Sequence, residues 1–148
     1  MKLNFSIEPS PEKTSKAMGK ELHISRKQAH EIATAIKGMK LDNAREFLEN
    51  VAALKQAVPY KRYTRNIPHR RGMCSGRYPQ KAAKEILCIL KNAESNATYK
   101  GLDSGTMRIT HVATKKGHTY MGQFPRAQAR ATPKRQETVT VEMIAEVQ

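Results

Sequence analysis

Between Glu49 and Glu85, and again between Asp103 and Glu137, the chain carries no carboxylate. The first stretch holds Lys55, Lys61, Arg62, Arg65, Arg70, Arg71, Arg77, Lys81 and Lys84. The second holds Arg108, Lys115, Lys116, Arg126, Arg130, Lys134 and Arg135, so that sixteen of the 27 Lys and Arg lie where no acid is local. A solvated surface normally intersperses the two signs. Stretches of this kind repel themselves unless an external anion neutralises them. They are therefore expected to be two phosphate-facing surfaces on one folded body, the alternative being flexible basic loops with no fixed partner. The net charge of +14 and pI near 10 agree, and they favour nucleic acid over other polyanions.

The core must come from the remaining sequence. With 148 residues, 39% of them apolar, the chain suits a single domain, residues 1–148. Leu3, Phe5 and Ile7 alternate with polar residues and predict a short strand, followed by a loop from Pro9 to Gly19. Ser25 with Gln28 three residues on suggests a capping box. Ala29, Ile32, Ala33 and Ile36 then trace a helical stripe that Gly38 ends. Asp42 is expected to cap a second helix with Ala44, Phe47, Leu48, Val51 and Leu54 inward, stopped by Val58-Pro59. The 59–79 segment has no periodic apolar pattern and reads as a basic loop insertion. Pro79 opens a third helix whose broad apolar face (Ala82, Ala83, Ile86, Leu87, Ile89, Leu90, Ala93, Ala97) predicts a central position. Cys88 is assigned to that face, and Gly101 is the stop. Two alternating runs, around Met107 to Thr110 and Thr138 to Val147, look like antiparallel partners. The connection between them is too long for a hairpin loop and reads as a projecting ribbon or a disordered arm. The pattern β-α-α-α-β-β is an α+β fold, helices against a small antiparallel sheet.

Catalytic parts are missing from this pattern. His23, His30, His69, His111 and His118 are dispersed, and His69 with Cys74 cannot complete a tetrahedral metal site. There is no Gly-rich phosphate loop, nucleophile elbow or acidic cluster. No enzyme, metal or cofactor is expected. Two cysteines fit a reducing compartment, and no run is apolar and long enough to span a membrane. The basic stretches instead have the chemistry of an RNA surface. Tyr60, Lys61, Arg62, Tyr63 and Arg65 interleave rings for base stacking with cations for phosphates, and Arg70 and Arg71 offer guanidinium forks. In the second stretch, residues 120–131 combine exposed apolar groups with arginines four apart and no acid. A two-stranded ribbon of that length is marginal in water, so it is expected to be embedded in something anionic. A competing reading makes the first two helices a helix-turn-helix in a stand-alone nucleic-acid-binding regulator. Asp42, Glu46 and Glu49 are a poor surface for a major groove.

Several runs resemble a known family. They are Gly76-Arg77-Tyr78-Pro79-Gln80-Lys81-Ala82-Ala83, Leu90-Lys91-Asn92-Ala93-Glu94-Ser95-Asn96-Ala97, Ala35-Ile36-Lys37-Gly38-Met39 and Phe124-Pro125-Arg126-Ala127…Ala129-Arg130-Ala131. Together they are similar to the large-subunit ribosomal proteins of universal family twenty-two, in the archaeal and eukaryotic branch that carries an insertion before the third helix. The resemblance implies three helices on a three-stranded antiparallel sheet with a protruding hairpin, about residues 110–138, that lines the nascent-peptide exit tunnel. It implies a structural role in the cytoplasmic ribosome, support of early assembly, and as partners large-subunit (23S-type) rRNA, neighbouring ribosomal proteins and the nascent peptide, with no stable homo-oligomer. Lys61, Arg62, Tyr63, Arg65, Arg70, Arg71, Arg77 and Lys81 would contact rRNA from the loop; Lys115, Lys116, Arg126, Arg130, Lys134 and Arg135 would do so from the ribbon. Met121, Gly122, Gln123, Phe124, Pro125, Ala127, Gln128 and Ala129 would form the tunnel tip. Ala129 stands where the family often has glycine, so the turn there is expected to differ in detail.

Overall fold

The computed structural model describes residues 4–147. The elements run β1 (Thr14–Leu22), α1 (Arg26–Ile36), α2 (Leu41–Ala52), β2 (Val58–Pro59), β3 (Gly76–Arg77), α3 (Gln80–Tyr99), a 3-10 turn (Ser104–Thr106), β4 (Met107–Pro125) and β5 (Ala131–Val147). Strands β1, β5 and β4 form an antiparallel sheet in that order, and β2 pairs with β3 in a second, two-stranded sheet. The α+β class is therefore the one the sequence predicted.

Helix α3 occupies the central position its wide apolar face required. Ala82, Ala83, Ile86, Ile89, Leu90, Ala93 and Ala97 are buried, and the helix packs on α2, α1, β1 and β5. Each large aliphatic among them contributes about 1.5–3 kcal/mol by leaving water. Opposite α3, the sheet presents Val139, Val141, Met143 and Ala145 of β5, all fully buried. Gly38, at φ +87°, turns the chain from α1 to α2. Its N–H donates to the Ile109 carbonyl at 2.8 Å while the Ile109 N–H donates to Met39 at 2.9 Å, which ties the turn to β4.

The first strand is not where hydrophobic alternation placed it. Of the proposed run, Leu3 lies outside the described residues; Phe5 and Ile7 belong to no strand, and Ile7 is exposed. The strand is Thr14–Leu22, inside the segment assigned to a loop. Its helix-facing positions are small: Ser15 donates from its hydroxyl to the Ala93 carbonyl at 2.6 Å, Ala17 is buried, and a Cβ on Gly19 would overlap the Ile89 side chain. Close approach of α3 selects small residues, so the period-two signal carries no hydrophobicity. Ser6 instead lies against the sheet's other face, its hydroxyl and N–H donating to Glu142.

Five local expectations are also corrected. Ser25 is the α1 N-cap, but its side chain makes no capping bond, so there is no capping box. The α2 N-cap is Lys40, and Asp42 sits in the first turn, where its charge favours the positive end of the helix dipole. Leu54 lies beyond the end of α2, exposed and at φ +62°; Val58-Pro59 is a strand rather than the helix stop. Cys88 is exposed, because it falls on the side of α3 away from the buried stripe. Gln80 donates from its side-chain amide to the Ala52 carbonyl at 2.9 Å, satisfying the end of α2 from the start of α3.

Candidate nucleic-acid interface

A buried carboxylate organises the 59–79 loop. Glu31 on α1 is 1% exposed and accepts the backbone N–H groups of Lys61 (2.9 Å), Arg62 (3.0 Å) and Tyr63 (2.8 Å). At about 100° per residue, Glu31 faces away from the Ala29–Ile32–Ala33–Ile36 stripe. It is buried only because the loop folds over the back of α1. The loop is closed by the β2–β3 pairing of Val58 with Arg77 and Pro59 with Gly76, and by the Tyr60 N–H donating to Ser75 at 2.9 Å. Arg77 donates to the Asn66 carbonyl at 2.9 Å.

Thus seven cations of the loop and the start of α3 (Lys61, Arg62, Arg65, Arg70, Arg71, Arg77, Lys81) stand exposed, yet their backbone is fixed. The half-buried Tyr63 ring has Lys27 Nζ at 5.7 Å and the Arg62 guanidinium at 5.8 Å, with His30 edge-on at 5.7 Å. Arg70 lies over Tyr78 at 5.4 Å. Burial pushes the Tyr60 phenol pKa up; the nearby Arg77 charge opposes this and Glu31 reinforces it.

The second surface is the ribbon of β4 and β5, whose pairing runs from Met107 with Val147 to Pro125 with Ala131. It leaves the body at a bulge, where Gly117 and His118 lie opposite the single residue Thr138. Thr138 is fully buried and donates from its hydroxyl to the His118 carbonyl at 2.8 Å. A Cβ on Gly117 would collide with the Thr138 side chain and stand 3.3 Å from its carbonyl oxygen, so glycine is required by close approach. Bulges bend and twist a strand pair, and this one is placed where burial stops. From Tyr120 to Glu137 every residue is exposed.

One face of the ribbon carries His118, Tyr120 and Phe124: the His118 and Tyr120 rings meet at 4.9 Å, and Lys134 Nζ lies 5.1 Å from the Phe124 ring. Met121 and Arg135 are paired on the other face. At the tip, the Arg126 N–H donates to the Arg130 carbonyl at 2.8 Å. Gln128 (φ +59°) and Ala129 (φ +53°) both adopt the left-handed conformation. A glycine would hold that geometry without strain, so Ala129 keeps the turn that a glycine favours, at a backbone penalty.

The root of the ribbon is fastened by acids that sequence reasoning did not connect with it. Glu142, fully buried, accepts from Lys115 Nζ at 2.9 Å, from His111 Nε2 at 3.1 Å and from Ser6. Burial alone would raise its carboxyl pKa. The bonds from Ser6, Lys115 and His111 outweigh it and bring the pKa down to about 2. Glu137 sits 3.9 Å from Arg26 and 3.8 Å from Lys116. Of the cations the sequence singled out, Lys115 and Lys116 therefore have protein counterions.

The two basic surfaces converge on the α1 N-terminus. His23 lies 5.8 Å from Tyr120 of the ribbon, Arg26 reaches Glu137, and Lys27 reaches Tyr63 of the loop. No acid occupies the first turn of α1. Arg26, Lys27 and Glu31 had no signal in sequence beyond being charged residues on an amphipathic helix. The acids of α2 and α3 cluster elsewhere, where Arg45 bridges Glu49 (3.3 Å) and Glu94 (3.7 Å) and burial raises the Glu94 pKa against the pull of Arg45. The solvent-facing side of α2 exposes Asp42, Glu46 and Glu49. Among the described residues no three His, Cys, Asp or Glu side chains are grouped to hold a metal ion, and no helix is long and apolar enough to cross a membrane.

Fold and site together define a small α+β protein with a charge-segregated surface, a clamped basic loop and an uncovered basic ribbon. The family described as ribosomal protein L22p/L17e matches residues 17–146. The chain is 53% identical to the large ribosomal subunit protein uL22 of Methanothrix thermoacetophila, over 97% of this chain and 95% of the relative. It is 49% identical to the protein of that name from Methanococcus aeolicus (98% and 97%) and 47% identical to that from Archaeoglobus fulgidus (99% and 97%). The chain belongs to the L22p/L17e family of ribosomal proteins. It is accordingly a structural constituent of the ribosome in the cytoplasm and not an enzyme.

Proposed function

We propose that the protein is built into the large ribosomal subunit by binding its 23S-type rRNA with two surfaces, the 59–79 loop and the 110–138 hairpin of a single domain. Lys61, Arg62, Tyr63, Arg65, Arg70, Arg71, Arg77 and Lys81 form the first surface. Lys115, Lys116, Arg126, Arg130, Lys134 and Arg135 form the second. The observation that carries the reading is the ribbon from Tyr120 to Glu137. It is exposed along its whole length and holds one acid, Glu137 at its root, while displaying Tyr120, Met121 and Phe124 to solvent. A two-stranded ribbon gains little stability alone, and an RNA envelope supplies both phosphates for the cations and base faces for the rings.

In that envelope the tip, Met121 to Ala129, lines the nascent-peptide exit tunnel, the body sits against neighbouring ribosomal proteins near the surface, and the protein assists early assembly. Deleting residues 119–131 tests this. The body's helices and the β1–β5–β4 root are formed without the tip, so the variant should keep its circular dichroism and still enter large subunits, with altered tunnel-wall chemical probing. Loss of structure in the isolated variant, or an unaltered tunnel wall, counts against the reading. Full-length protein should also stay on subunits at about half-molar salt, where phosphate contacts alone weaken steeply.

A further inference from the structure

Between the N-terminus of α1 and the basic loop lies a cavity of about 370 Å³. Its walls include Lys27, Tyr60, Arg62, Tyr63, Arg65 and Arg77. We propose that this cavity receives a single unpaired nucleotide extruded from an RNA helix or loop. The proposal rests on the RNA-binding reading above and specifies what one part of the loop surface recognises.

Two features point to such a ligand. First, the α1 N-terminus opens into the cavity through Ser25 and Gln28. Its first turn has no acid and the Ser25 side chain makes no capping bond, so the backbone N–H groups there are unclaimed by side chains. Such a terminus binds phosphate, and Lys27 adds a full charge beside it. Second, Tyr63 and Arg62, 5.8 Å apart, provide the flat groups on which unpaired bases stack.

The volume falls in the range of about 300–1,000 Å³ typical of small-ligand sites. A base held in a duplex cannot enter, because its faces are covered by its neighbours. The loop's fixed backbone matters here: Glu31 holds residues 61–63 in place, so the cavity is largely preformed rather than assembled on binding.

The test uses the full-length protein and two RNA hairpins that differ in one position. One carries a single bulged 2-aminopurine; the other is fully paired. At one fixed salt concentration the bulged hairpin should bind about tenfold more tightly, as expected for one stacked base, and its 2-aminopurine fluorescence should be quenched. Tyr63→Leu should abolish the preference. Arg62→Ala, which removes the guanidinium beside Tyr63, should lower the preference severalfold. It carries the test if Tyr63→Leu unfolds. Equal binding of the two hairpins overturns the cavity assignment while leaving RNA binding intact. Failure to bind either hairpin overturns RNA binding itself. Tyr63-dependent binding of oligoglutamate as tight as that of the bulged hairpin reassigns the cavity to an acidic peptide and overturns the proposal.

Discussion

Replacing Glu31 with alanine should release the basic loop while leaving the body folded. The carboxylate accepts three backbone N–H groups at 2.8–3.0 Å from a position 1% exposed. Hydrogen bonds to a charged group contribute about 1.5–3 kcal/mol each, so three set a ceiling of roughly 5–9 kcal/mol for the clamp. Much of that is recovered on release, because the freed N–H groups are hydrated once the loop lifts. The carboxylate itself also carries a burial penalty in the native state. The net value of the clamp is therefore about 2–3 kcal/mol, a factor of about 30–150 in the docking equilibrium at 1.4 kcal/mol per tenfold.

Native-state hydrogen exchange reads this directly. In Glu31→Ala the amides of Lys61, Arg62 and Tyr63 should lose protection by about 30- to 150-fold. The amides of α3, such as Ile89 and Leu90, should change far less. Glu31→Gln retains one acceptor oxygen and should fall between the two. Unchanged protection at residues 61–63 in the alanine variant refutes the clamp. An equal loss of protection in α3 refutes the claim that the loop is a separable unit.

Three further outcomes follow from other residues. Glu142 has its carboxyl pKa lowered from 4.5 to about 2, so the stability it contributes is present above pH about 4.5 and is lost as the pH falls towards 2. The corresponding figure of about 3 kcal/mol falls to about 2 once the half-exposed Lys115 partner is discounted for solvent screening; chemical denaturation of Glu142→Gln should lack that share of the acid-dependent loss, and parallel pH curves for the two proteins would falsify the assignment. Gly117→Ala forces a methyl against Thr138 at the bulge and should destabilise the protein by about 1–3 kcal/mol, seen as a lowered Tm, whereas a Tm equal to wild type means the bulge is not close-packed. At the tip, Ala129→Gly removes the penalty of a left-handed alanine (φ +53°) and should increase protection of the Arg126 amide; Ala129→Val, branched at Cβ, should abolish it, and equal protection in both variants excludes the turn described.

How far the fold could be read from sequence depended on whether burial left a hydrophobic trace. Helix α3 was legible because seven of its side chains are buried on one broad face. Gly38 and Gly101 marked helix ends because both need positive φ. Strand β1 was invisible because the α3 contact selects Ser15, Ala17 and Gly19, whose smallness is a packing signal with no periodic hydrophobicity. Phe5 and Ile7 misled for the converse reason, being apolar residues outside any strand. In β4 the alternation is clear at Met107 and Ile109, both fully buried, and fades beyond the Gly117 bulge, where neither face of the ribbon is covered.

The candidate site was half legible. Its cations announced themselves by lacking acids nearby in sequence; of the two rings expected to interleave with cations at residues 60–65, Tyr63 stands near Arg62 and Lys27, whereas Tyr60 is buried in the core. What holds those cations in place was hidden, since Glu31 and Glu142 lie 30 and 27 residues from the nearest basic groups they organise. Only the fold brings them into contact.

The placement of these acids explains how a chain with two self-repelling segments remains ordered at all. Each acid-free stretch is fastened at its root by a carboxylate from outside it: Glu31 beneath Lys61–Tyr63, Glu142 beneath Lys115, and Glu137 beside Lys116. Further out, no described carboxylate pairs with Arg62, Arg65, Arg70 or Arg71 of the loop, nor with Arg126, Arg130, Lys134 or Arg135 of the ribbon. Uncompensated charge thus rises with distance from the body, and the repulsion it produces falls on segments whose bases are already held. Neutralising the distal cations with acids would quiet that repulsion but would also remove the reason for an anionic partner to enclose them. Clamping the roots and leaving the ends bare holds both basic segments on the body while presenting their uncompensated charge outward.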